Sequence, residues 1–133
     1  MLSFKPADLA IPKLHEHLLG AVAPRPIAFA TTIDKDGNVN LAPFSFFFCF
    51  GSNPPTLVFS PARSGKTGAT KNTHDNVLEV AECVVNIAPY SILYQMNLAA
   101  HMYPKGVDEF AKSGLTPLPS VTVKPPRVAE CYV

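Results

Sequence analysis

The residues best equipped for chemistry cluster between positions 60 and 73. Arg63, Lys66 and Lys71 place three cations within nine positions, interleaved with the hydroxyls of Ser60, Ser64, Thr67, Thr70 and Thr73. A guanidinium grips two phosphate oxygens at once, an ammonium acts as a point charge, and hydroxyls and the start of a following helix add donors. The cluster fits a phosphate-bearing ligand; a solvated polar loop is the plainer alternative. Gly65-Lys66-Thr67 ends like a triphosphate-binding loop, but the glycine required five positions earlier is Ser60, and Pro61 removes a donor from the backbone. A triphosphate loop is therefore rejected.

The second unusual segment is 41–50, Leu-Ala-Pro-Phe-Ser-Phe-Phe-Phe-Cys-Phe. Five phenylalanines fall in its last seven positions, more than one face of a strand can bury. They cover both faces, meet a partner chain, or line a slot for a flat ligand. Ala42, Pro43, Phe44, Ser45, Phe46 and Phe47 offer such a slot apolar walls and backbone hydrogen-bonding groups. Hydrolytic machinery is poorly supported. His15-Glu16-His17, His74 and His101 lack partners at ligand or triad spacing, and Cys49 lies among phenylalanines, where a thiolate is disfavoured. No catalytic side chain and no metal set is assigned.

Elements able to position these groups follow from pattern. Residues 26–33 read as a strand, Asp36-Gly37 as a hairpin turn and 39–42 as the returning strand. Residues 56–60 and 83–87 read as further strands, with 121–123 and 128–133 supplying more. Helices are expected over 76–82, with Thr73 as N-cap, over 91–100, and over 107–112 with Gly114 as its stop. Fourteen prolines imply many short elements with firm ends. The expectation is a mainly β protein with inserted helices.

Composition narrows the function classes. A chain of 133 residues suffices for one domain, 1–133. It is 47% hydrophobic and only 16% charged, against about 25% charged residues in an average domain. That balance points to apolar surface buried against another subunit. Pro43, Ser45 and Gly51 interrupt the most apolar stretch, so no membrane span is expected. A net charge of +1 offers no basic patch for nucleic acid. Three cysteines without metal or disulfide spacing, and no signal-peptide pattern, favour a reducing, cytoplasmic setting. Residues 127–133 look like the start of a strand, which suggests that the C-terminal part of the fold is missing.

Together, Pro24-Arg25-Pro26-Ile27-Ala28-Phe29, residues 40–47, Ser52-Asn53-Pro54-Pro55, Lys71-Asn72-Thr73, Tyr103-Pro104-Lys105-Gly106 and Glu109-Phe110 before Gly114-Leu115-Thr116 resemble the flavin reductase-like family, which includes flavoredoxins. The resemblance implies a six-stranded antiparallel split β-barrel that homodimerises and binds flavin mononucleotide (FMN). It implies NAD(P)H-dependent reduction of flavin, with electrons passed to a downstream acceptor; the alternative is a non-catalytic electron carrier. It places Ala42 to Phe47, Thr31 and Thr32 beside the ring, and Ser60, Arg63, Lys66, Lys71 and Thr73 on the phosphate side. Arg25 matches a family arginine. Phe48 and Asn72 depart from the family pattern, which commonly has Asn and Asp there.

Overall fold

The computed structural model describes residues 3–64 and 67–132. Its centre is strand β1 (Ala28–Ile33), flanked by β2 (Val39–Phe44) and β5 (Val84–Asn86) in an antiparallel three-stranded sheet. The β1–β2 turn is built by Asp34, whose carboxylate accepts from the backbone N–H of Asp36 and Asn38 and from Asn38 Nδ2. Those bonds, the Asn38 side chain foremost, hold the Asp34 carboxyl below its ordinary range. Gly37 supplies the positive φ of +90° that the turn requires.

Alternation along β1 and β2 divides the core between the two sheet faces. Phe29 and Leu41 face one way, into a cluster with Ile92, Ala99, Phe110, Leu115, Val128 and Cys131. Ala28, Ala30 and Phe44 face the other way, against Ala42, Phe47, Phe59 and Val85. Cys131 sits inside the first cluster, where burial pushes its thiol up to about 11. Asn86 stitches the layers: its Nδ2 donates to the Phe29 carbonyl (2.9 Å) and its Oδ1 accepts from Val128 N–H (2.8 Å).

A second hairpin joins β3 (Phe47–Ser52) to β4 (Pro55–Phe59), with an irregularity between Cys49 and Gly51. A third pair is β6 (Pro117–Leu118) with β7 (Arg127–Val128). Helix α1 (Ile11–Ala21) precedes β1; α2 (Asn72–Glu79) follows β4; α3 (Leu93–Ala99) and α4 (Glu109–Ser113) pack beside β2. Asp108 caps α4 by accepting from Phe110 and Ala111 N–H, and Gly114 ends it at φ +70°.

Several expectations are corrected. The six-stranded barrel is not closed among the described residues: their strands form three separate sheets, and helices claim a comparable share of the chain. One reason lies at the open edge of β2. Leu41 N–H there turns away from β1 and donates to Glu109 (3.3 Å), and Pro43, on the same side two residues on, has no N–H to offer another strand. Residues 121–123 form bends, not a strand, and beyond β7 the described chain adds only a bridge between Ile87 and Tyr132. Thr73 is not an N-cap. It lies inside α2, whose N-cap is Lys71, and its hydroxyl accepts from Asn40 Nδ2 in the core (2.9 Å). Helix α1 and strand β3 were not anticipated.

Candidate functional site

Two clefts meet at the β2 edge. The larger, about 700 Å³, lies between α1 and the β2–β3 turn and is walled by Ile11, Leu14, His15, Leu18, Pro43, Phe44, Ser45 and Phe46. Ser60, Ala62, Arg63, Ser64 and Lys71 complete its lining. The smaller, about 190 Å³, lies between β2, the start of α2 and the α3–α4 connection, and includes Ala42, Lys71, Thr73, His101, Tyr103 and Glu109. Pro43, Phe44, Ser64, Lys71 and Met102 line both.

The phenylalanine segment and the cationic loop meet because β3 pairs with β4. Phe47 lies opposite Phe59, and one residue beyond that pair Ser60 N–H donates to the Phe46 carbonyl (2.9 Å). The chain therefore leaves β4 directly beside Phe46 and turns past Arg63. The loop closes on itself through Ser64 N–H to the Ala69 carbonyl (2.9 Å), Gly68 N–H to the Ser64 carbonyl (2.8 Å) and Arg63 Nη1 to the Gly68 carbonyl (3.1 Å). Lys71 follows as the N-cap of α2, whose first N–H groups have no helical partner.

The remaining candidates divide clearly. Phe47 is half-buried against the Ala28, Ala30 and Phe44 cluster and lines neither cleft. Thr31 and Thr32 are 0% exposed. The Thr31 hydroxyl donates to the Pro126 carbonyl and the Thr32 hydroxyl accepts from Asn76 Nδ2, so both face into the protein and line neither cleft. Arg25 also lines neither. Its Nη1 donates to the carbonyls of Leu19 (2.7 Å) and Val22 at the end of α1, and its Nε to Ser45 Oγ (3.3 Å). It ties α1 to the turn that carries the phenylalanines. Lys66 lies outside the described residues.

Sequence reasoning missed Glu109, Met102, Tyr103 and the α1 residues of the larger cleft. Glu109 is 6% exposed, and burial raises its carboxyl above the ordinary carboxylate range. Glu109-Phe110 was legible as part of the family pattern, but the burial of Glu109 was not, because it follows from the docking of α4 on β2. The α1 face was legible as an apolar 3.6-residue repeat at Ile11, Leu14 and Leu18.

With the geometry in hand, the chain can be set beside known proteins. Residues 20–133 match the family described as flavin reductase like domain. An uncharacterised protein of Aquifex aeolicus is 42% identical over 90% of this chain and 61% of its own length. YwrF of Bacillus subtilis, also uncharacterised, is 35% identical over the whole chain and 64% of its own. Among solved structures, nitrilotriacetate monooxygenase component B from Bacillus cereus superposes with a TM-score of 0.90 at 34% identity, covering 98% of this chain and 64% of that one. The 2-nitrobenzoate 2-nitroreductase NbaA of Pseudomonas fluorescens gives 0.81 at 28% identity, covering 98% and 61%. Flavoredoxin of Desulfovibrio vulgaris, at 24% identity and 0.72, shares the fold. The chain spans between half and just under two thirds of the length of the curated relatives it matches.

Proposed function

The chain belongs to the flavin reductase-like family, and we propose that residues 1–133 form an FMN-binding domain of an oxidoreductase that reduces flavin with NAD(P)H and passes the electrons to a downstream acceptor. The observation that carries this is the shared cleft, which is lined both by Pro43 to Phe46 and by Ser60, Arg63 and Lys71. Its volume lies within the range of small-molecule sites, roughly 300–1,000 Å³. An apolar wall suits the isoalloxazine, and two cations in the same lining suit the phosphate.

In this reading Phe44 and Phe46 bound the ring and Ser45, held by Arg25, supplies a hydroxyl at the turn between them. Arg63 and Lys71 hold the phosphate, with Lys66 of the same loop as a further cation, whereas Thr73, buried in α2 and bonded to Asn40, lines the smaller cleft instead. Helix α1 covers the apolar wall and excludes water. His15 packs edge-on against Phe46 (centroids 5.6 Å apart) and keeps that ring in place. Bound FMN supplies the hydride and electron chemistry itself, so no side-chain acid or base is required.

The β3–β4 hairpin supports a homodimer. Phe48, Phe50, Leu57 and Val58 are all exposed on it, in a chain already poor in charge. No helix among the described residues is long and apolar enough to cross a membrane, and the three thiols are free, which accords with a cytoplasmic setting.

Titration with FMN and with riboflavin, which lacks the phosphate, tests the binding mode. The double variant R63A/K71A is expected to weaken FMN by about a hundredfold or more, at about 1.5–3 kcal/mol for each of the two charged hydrogen bonds lost, and to leave riboflavin close to wild type. Equal affinities of variant and wild type for FMN would overturn the phosphate assignment. Steady-state oxidation of NADH and NADPH then tests the activity: a bound flavin that neither nicotinamide reduces marks the chain as an electron carrier.

A further inference from the structure

Helix α1 belongs more to the larger cleft than to the body of the protein. It lends Ile11, Leu14, His15 and Leu18 to the cleft's lining, yet none of its eleven residues is buried, and Ile11 is 70% and Leu18 47% exposed. The other helices differ: α2 buries Thr73 and Asn76, α3 buries Ala99, and α4 buries Glu109, Phe110 and Ser113. An isolated helix shorter than about 12–15 residues is marginal in water. Ala10 gives α1 no side-chain cap, and the Lys13–Glu16 pair on it is exposed, an arrangement that contributes little. Local chemistry does not hold this helix in place.

One side chain ties it down. Arg25 is half-buried in the link 22–27 between α1 and β1. Its Nη1 donates to the carbonyls of Leu19 (2.7 Å) and Val22, at the helix end whose carbonyls lack helical partners and favour a cation. Nε of the same guanidinium donates to Ser45 Oγ (3.3 Å), and Ser45 stands between Phe44 and Phe46 in the cleft's lining. Among the described residues, no other side chain from outside α1 hydrogen-bonds to it. His15 adds an edge-on ring contact with Phe46, which carries no hydrogen bond.

Resting on the flavin reading above, we propose that α1 is a hinged lid on the larger cleft and that Arg25 is the positioning residue that latches it. The link 22–27 is the hinge. A flat ring lying against Phe44 and Phe46 gives Ile11, Leu14 and Leu18 an apolar surface to close on, so occupancy of the cleft and closure of the lid favour one another. The latch grips the lid and the turn between the two phenylalanines through one planar group, so a shift of either is passed to the other. Opening breaks the hydrogen bonds of one side chain and uncovers no core residue, so flavin leaves without disturbing the sheet. Such a lid suits a flavin that is exchanged with solution.

Amide hydrogen exchange and stopped-flow flavin fluorescence test the lid. In wild type without flavin, the amides of residues 11–21 are expected to exchange well before those of β1. With FMN at about ten times its Kd they are expected to slow by up to about tenfold, because the open lid does not hold the ligand. Arg25→Ala is expected to release FMN about tenfold faster, and to speed release of lumiflavin, the ring without sugar or phosphate, to the same extent. Arg25→Lys, which keeps the charge and loses the fork, is expected to recover part of that loss. A thermal melt verifies that both variants are folded. Unchanged FMN release in Arg25→Ala, or faster release of FMN with lumiflavin unaffected, overturns the latch and leaves the flavin reading standing. Should the variants not fold, wild-type exchange alone decides: α1 as protected as β1 without flavin, or no slower with it, overturns the lid, and slowing by FMN upholds it. Protection of α1 that rises with protein concentration and not with FMN assigns its cover to a second copy and likewise overturns the lid. Failure of wild type to bind either ligand overturns the flavin reading itself.

Discussion

The two hairpins of this molecule are built from similar residues and live in opposite surroundings. Every residue of β1 from Ala28 to Thr32 is fully buried, and both of its threonine hydroxyls have partners. The β3–β4 hairpin is as apolar, yet Phe48 is 64% and Phe50 71% exposed, their rings set edge to face. The first hairpin is flanked by β5, α2, α3 and α4; the second is held by its own ladder and by a seam along Phe47 and Phe59. Apolar content alone does not make a core. A strand needs neighbours on both faces, and β3–β4 finds one here.

That contrast sets the order of expected effects. Phe29→Ala empties the middle of the core and is expected to cost about 3–5 kcal/mol, read as a lowered urea midpoint. Asn86→Ala leaves the Phe29 carbonyl and Val128 N–H without their partner and is expected to cost about 2–4 kcal/mol in the same assay, one desolvated group at each end. In the other hairpin, Phe48→Ser with Phe50→Ser is expected to change stability by about 0.5 kcal/mol or less. The same double variant is expected to shift the chain toward monomer in light scattering; an unchanged mass would sever the hairpin from association.

The smallest effect is a pH dependence at the β2 edge. Burial raises Glu109 above its ordinary 4.5, so the folded chain holds that proton more tightly than the unfolded one. The stability this group contributes is complete below pH 4.5 and is lost as pH rises through the raised value. Glu109→Gln removes the titration, so its urea midpoint is expected to fall less than that of wild type between pH 4 and pH 7. Parallel declines would mean that Glu109 is solvated in the folded state.

Much of this was legible in the residues. The Asp36-Gly37 turn, the strand before it and the helix stop at Gly114 are local chemistry, readable because a glycine's φ and a carboxylate's reach depend on few neighbours. The phenylalanine segment and the cationic loop were likewise visible as unusual compositions. Thr31, Thr32 and Arg25 were misplaced relative to the cleft for a single reason. Which way a strand's hydroxyl points depends on which face α2 and the 125–127 turn cover, and what an arginine grips depends on where α1 ends.

By itself, then, the sequence determined the family, the first hairpin, and the residue types able to hold ring and phosphate, because those rest on short-range geometry and on charge. The tertiary structure alone decided that Phe46 and Ser60 are hydrogen-bonded neighbours, that α1 roofs the larger cleft and that Glu109 lies under the smaller one. Each of these joins segments distant in sequence, and only the packing of helices against the sheet brings them to the same pair of adjoining clefts.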